Sequence, residues 1–168
     1  MNVELVNPVL KNVVDMLGLM ARLELAPGKP QLKKGDKSLG EVTGMLRING
    51  EGIMGSVAIS FSRSLILALC RRMLRRQPSA IDPWVLDLAG EIANMVTGST
   101  KVLLEEKGYR LTMSLPEVLN GAGHVIKHHA PMKVIVVPFR CQEGELYVEM
   151  CIDYDPQACP VARKATTG

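Results

Sequence analysis

Residues 87–98 read Asp87-Leu88-Ala89-Gly90-Glu91-Ile92-Ala93-Asn94-Met95-Val96-Thr97-Gly98, and the period of this stretch decides how the chain is built. At about 100° per residue, a helix places Asp87, Glu91, Asn94 and Gly98 within an arc of roughly 60°. The opposite side carries Val85, Leu88, Ala89, Ile92, Val96 and Leu103, an apolar face wide enough to dock on a sheet or on other helices. The expectation is a long helix held from behind, with a polar stripe displayed outward. A Glu and an Asn one turn apart, with Gly98 removing bulk one turn further on, let another macromolecule approach while two polar tips reach into it. Solvated polar residues are also what any amphipathic helix carries, so spacing alone leaves both readings open.

Outward from this stretch, Asp82-Pro83 is an N-cap followed by proline at the first helical position, and Lys107-Gly108 is a stop. Asn7-Pro8 repeats the start signal. It predicts a helix to about Leu23, with Val9, Val13, Met16, Leu17 and Met20 as its apolar face, stopped by Pro27, Gly28 and Pro30. The segment from Gly40 to Phe61 alternates around Gly50-Glu51-Gly52 and predicts a β-hairpin. Ser62 to about Arg76 returns to helical spacing through Leu65, Ile66, Leu69, Met73 and Leu74. After the long helix, Leu111-Thr112-Met113 predicts a short strand, and Leu115-Pro116 leads into a loop around Gly121 and Gly123. Lys133 to Phe139 and Glu145 to Ile152 predict a second hairpin turned at Glu143-Gly144.

Element order therefore repeats: cap-proline helix, extended segment, hairpin, an intervening helix, then the same series again. Setting Asn7-Pro8 over Asp82-Pro83 puts Met16 and Leu19 where Glu91 and Asn94 stand, so the second copy alone has polar chemistry. The predicted fold class is α/β of the α+β type, an antiparallel or mixed sheet covered by long helices with a pseudo-twofold axis. Residues 1–154 are expected to form a single domain. Residues 155–168, with Pro156 and Pro160 and a small polar end, are expected to be a disordered tail.

Composition bounds the function classes. The 168 residues suffice for one domain with a sizeable core, and 47% are hydrophobic but only 4% aromatic, so aliphatic side chains must fill that core. A net charge of +3 lacks the strong basic bias of a nucleic-acid binder. No run approaches the roughly 18 apolar residues of a membrane span, and no signal-peptide pattern opens the chain, so a cytoplasmic location is expected. Cys70, Cys141, Cys151 and Cys159 form no C-x-x-C pair and are expected to be reduced. His124 and His128 are four apart, but the glycines before them and Pro131 after them favour a loop. No local carboxylate or cysteine completes a ligand set, so no metal site is expected. The cluster Arg71-Arg72-Met73-Leu74-Arg75-Arg76 closes a helix, where cations meet the C-terminal dipole favourably.

Glu91-x-x-Asn94-x-x-x-Gly98, opened by Asp87 and followed by Ser114-Leu115-Pro116 and Gly121-x-Gly123, resembles the CheC/CheX/FliY group of bacterial chemotaxis phosphatases. The resemblance extends to Asn7-Pro8, Gly28-Lys29-Pro30, Lys34-Gly35 and the strand from Gly52 to Phe61. It is strongest to the CheX type, since one Glu-x-x-Asn signature is intact and CheC-type members usually carry two. The resemblance implies a CheC-like fold and a phosphatase acting on the aspartyl-phosphate of a CheY-type response regulator. It implies catalytic roles for Glu91 and Asn94, and partner contacts for Asp87 and Gly98. It also implies a homodimer, no nucleic-acid or membrane partner, no cofactor held by this chain, and Mg2+ on the regulator. The alternative within the same fold is a non-catalytic binding module akin to the middle domain of flagellar switch proteins.

Overall fold

A computed structural model describes residues 3–159. Helix α1 spans Val3–Ala21, followed by two-residue strands β1 (Ala26–Pro27) and β2 (Gln31–Leu32). The hairpin β3 (Val42–Gly50) and β4 (Ile53–Phe61) turns at Glu51-Gly52, where Gly52 takes a φ of 71° that suits glycine. Helix α2 (Arg63–Leu74) is capped by the Ser62 side chain and ended by Arg75 in the left-handed conformation. Helix α3 (Pro83–Glu106) is capped by Asp82, whose carboxylate accepts the Val85 N–H at 3.0 Å. Strands β5 (Leu111–Met113) and β6 (Glu117–Asn120) and the hairpin β7 (Ile135–Cys141) and β8 (Gly144–Tyr154) complete the described chain.

All pairings are antiparallel, in the order β1-β7-β8-β4-β3-β5, with β2 also on β7 and β6 also on β3. This order is symmetric about the β4–β8 pair. The short strands after α1 edge the second hairpin, and the short strands after α3 edge the first. The expected twofold repeat of element order is thus built into the sheet.

Strand alternation sorts the two faces. Leu46, Ile48, Val57, Ile59, Val137, Phe139, Val148 and Met150 point to one side and form a single core with the buried stripes of the three helices. Residues 121–134 cover the other side, where Ile126 packs with Met45 and Ala58. Polar groups pin this cover. His124 Nε2 meets Thr43 Oγ1 at 2.8 Å, and His128 bridges Ser56 Oγ at 2.9 Å and Glu149 Oε2 at 3.1 Å. Glu149 is fully buried and is also paired with Lys33, itself nearly buried. The histidines that the sequence leaves in a loop thus act as internal fasteners.

Several expectations require correction. Asn7-Pro8 is not a helix start: α1 begins at Val3 and Pro8 lies inside it, because Leu5 and Val6 already reach the core. Leu103 is not in the apolar face of α3. It borders a groove with Val3, Asn7 and Pro8 of α1, and Leu104 takes the buried place. Strands β1, β2 and β6 are too short for period-two patterning to reveal. Of the segment from Asp155, residues 155–158 form an exposed turn, and Cys159 is buried in the core, its N–H bonding the Asp155 carbonyl at 3.1 Å. The rest of the tail expected to be disordered lies outside the described residues. The four cysteines carry no disulfide, and burial pushes the Cys70 thiol up, keeping it protonated and unreactive at neutral pH.

Candidate functional site

The position of α3 follows from three small residues. A Cβ added to Gly44 on β3 would lie 2.6 Å from the Ala93 Cβ and 2.8 Å from the Ala89 carbonyl oxygen. The helix therefore rests almost directly on the strand backbone. Val85, Leu88, Ile92 and Val96 bury the flanks of this contact. From the other side, Asn12 of α1 donates to Thr100 Oγ1 at 3.0 Å.

With its back fixed, α3 turns Asp87, Glu91, Asn94 and Gly98 to solvent, and all four are exposed. The structure thus brings together the residues singled out by spacing. Among the described residues, the side chains of Asp87, Glu91 and Asn94 have no hydrogen-bond or ion-pair partner within the chain. Some surface carboxylates are engaged, Glu41 with Arg63, Glu143 with Arg72, Glu105 with Lys101 and Glu145 with Arg140, whereas the exposed Glu24, Glu106 and Glu117, like the stripe, have no such partner among the described residues.

Local energetics argue that this stripe was not composed for the helix's own sake. Asp87 and Glu91 are like charges at i and i+4, which cost a helix about 0.2–0.5 kcal/mol. Gly98 in a helix interior costs about 1 kcal/mol relative to alanine. A Cβ there would meet nothing within 4 Å, so no packing inside the chain requires glycine. Gly44 and Gly90 differ in this respect, since both would clash. A site that departs from local preference with no internal reason is a candidate for external contact.

One flank of the stripe is made by Pro116 and the first half of β6. Val118 stands 2.9 Å and Pro116 3.9 Å from where a Gly90 Cβ would lie. The other flank, at the start of α3, holds the half-exposed Trp84 with the Arg76 guanidinium 4.2 Å from its ring centre. Sequence reading sets Pro116 in a loop beneath the helix but does not reveal that Glu117–Asn120 form a strand there. Val118 and Leu119 were the available signal, too brief to separate from noise.

The family model described as chemotaxis phosphatase CheX matches residues 42–140, which span β3 through nearly all of β7 and include the whole stripe. The chain belongs to the CheX family. A CheC-like superfamily protein from Shewanella sp. PV-4 is 42% identical, with a TM-score of 0.85 over 91% of this chain and 99% of its own. The CheY-P phosphatase CheX of Thermotoga maritima is 27% identical over 152 residues, covering 89% of this chain and 97% of its own. CheX in the crystal structure of the CheX-CheY-BeF3-Mg2+ complex from Borrelia burgdorferi is 21% identical, with a TM-score of 0.75 over 88% and 97% of the two chains. At that identity the likeness is one of fold. For this CheX-family chain, the fold and the family are thereby established together.

Proposed function

We propose that this protein hydrolyses the aspartyl-phosphate of a CheY-type response regulator, and that Glu91 and Asn94 are the residues that act. The observation that carries this reading is the exposed, unpaired Glu91–Asn94 stripe on a rigidly seated helix. The relatives add that a CheX of Thermotoga maritima is a CheY-P phosphatase and that a Borrelia burgdorferi CheX forms a complex with CheY.

An acyl phosphate is already activated, so catalysis requires water placed in line with phosphorus and groups that tolerate the charge there. Water attacks phosphorus, the bond from phosphorus to the carboxylate oxygen breaks, and inorganic phosphate and free aspartate result. The Asn94 amide accepts a hydrogen bond from that water through its oxygen and donates through its nitrogen to a phosphoryl oxygen. It does this without placing a negative charge beside a dianion. Glu91, an anion one turn away, anchors a cation of the partner's site by a charge-assisted hydrogen bond. Asp87 extends the contact by a further turn, and Gly98 lets the partner backbone come close.

Magnesium, in this reading, is held by the regulator's own acidic pocket. Among the described residues of this chain, no three His, Cys, Asp or Glu side chains converge as a metal site. No described helix is long and apolar enough to cross a membrane, and the protein works beside its regulator in the cytoplasm. Residues 1–154 serve as one catalytic unit.

Glu91→Gln tests the anchoring role. Titration of the phosphorylated receiver is expected to show at least tenfold weaker binding, a loss of the size found for charge-assisted contacts. Unchanged affinity would remove Glu91 from the interface.

A further inference from the structure

The strand pairing on the outer edge of β3 contains a β-bulge. Met113 faces Ile48 and Glu117 faces Met45, and Ser114 is tied to Arg47 by N–H···O at 3.0 Å. Leu115 and Pro116 therefore stand together opposite the single residue Leu46. The bulge is firmly built. Ser114 Oγ accepts the Arg47 N–H at 3.0 Å and donates to the Leu115 carbonyl at 2.9 Å. Pro116 fixes its own φ and packs beside Gly90. Bulges re-aim side chains and are frequent next to active sites.

What this bulge presents is Leu115, 86% exposed. Strand β3 runs from Gly44, under Ala89 and Ala93, toward Gly50, which lies against Arg110 and Leu111 just beyond the end of α3. Going from Val118 back to Leu115 thus moves from the level of Gly90 toward the turn that holds Asn94. An exposed apolar side chain, on a backbone held through Ser114, thus stands beside the polar stripe.

We infer that Leu115 is an affinity-determining apolar contact for the phosphorylated receiver. The inference rests on the proposed phosphatase reading and adds to it an apolar anchor outside the Glu91–Asn94 pair. Its occupant is the same partner because Leu115 follows Ser114 and precedes Pro116, which packs at Gly90 directly beside the stripe, and its backbone is fixed through the Ser114–Arg47 and Ser114–Leu115 bonds before any partner arrives. Preorganisation of this kind favours binding, since no loop entropy is lost on docking. Leu115 touches no reacting atom, so its contribution is to binding and not to the chemical step.

The test uses the full chain with Leu115→Ala and Leu115→Met, measuring both equilibrium binding of the phosphorylated receiver and its decay over a range of receiver concentrations. Leu115→Ala is expected to raise Kd and KM about tenfold, the scale of one buried leucine side chain, and to leave kcat and thermal stability unchanged. Leu115→Met, which keeps volume and apolarity, is expected to restore native KM. An unchanged Kd for Leu115→Ala would overturn the inference, as would a fall in kcat at constant KM. If the native chain binds the receiver without speeding its decay, the phosphatase reading fails while the Kd comparison still decides the role of Leu115. Absence of binding by the native chain overturns both.

Discussion

Asn94 carries an amide where an acid would have served the helix equally well, a difference that bears directly on the role proposed for it at a phosphoryl group. Asn94→Asp preserves shape but sets a negative charge against the phosphoryl oxygens and removes the amide donor. Loss of a positioned hydrogen-bond donor and an oriented water is expected to cut stimulation of dephosphorylation by on the order of 100-fold. The unfolding temperature should stay within a few degrees of native, which thermal denaturation checks. Retained activity would show that the amide does not orient the water. Gly98 provides a test of opposite sign. Because a Cβ there enters open space, Gly98→Ala is expected to stabilise the fold by about 0.5–1 kcal/mol. Gly98→Leu should weaken receiver binding without destabilising the chain. If alanine destabilises, glycine has an internal role that the structure does not show.

At the scale of elements, the seat of α3 on β3 fixes the geometry of the site. Gly44→Val would drive a side chain into Ala89 and Ala93, with an expected cost of about 1–3 kcal/mol for overpacking. Activity should fall with it, since the stripe moves with the helix; chemical denaturation and a decay assay on the same preparation check both. On the far side of the sheet, the Lys33–Glu149–His128 group holds residues 121–134 in place. One oxygen of the Glu149 carboxylate, Oε1, already lacks a partner. Lys33→Met leaves this buried charge less compensated and is expected to cost about 3–5 kcal/mol, whereas Lys33→Met with Glu149→Leu should recover much of the loss. Equal losses in the two variants would show that the pair is not coupled.

The legibility of these elements from sequence follows their length. Helix α3 was readable because twenty-four residues repeat a pattern and Asp82-Pro83 marks its start. Both long hairpins were readable from alternation around glycine turns. The start of α1 was not, because a cap-like Asn-Pro pair inside a helix looks the same as one at its end. The stripe itself was visible, and what sequence alone left open was whether its polar groups were satisfied internally. That depends on neighbours brought from β5 and β6, which no local pattern encodes. The buried Lys33–Glu149 pair joins residues far apart in the chain and left no local signal.

At the scale of the whole molecule, two similar halves share one sheet, but their helices differ in chemistry. On α1, Leu19 is 85% exposed and Met16 half-buried, and neither offers the polar groups of Glu91 and Asn94. Among the described residues, α3 alone offers the face proposed to be catalytic. The family resemblance implies a homodimer, although the edge strands of the sheet, only two to four residues long, offer little backbone for pairing. Light scattering at micromolar concentration should give twice the 18.3 kDa chain mass, and a monomer would contradict this. One exposed stripe, held by a small-residue contact beneath α3, is proposed to perform phosphatase chemistry on a partner. The most direct test is the decay of a phosphorylated CheY-type receiver alone, with the native chain, and with Asn94→Ala at a concentration that saturates binding. Fast decay is expected with the native chain and, with the variant bound, decay at the receiver's own rate. Decay that Asn94→Ala accelerates as well as the native chain does would contradict the proposal.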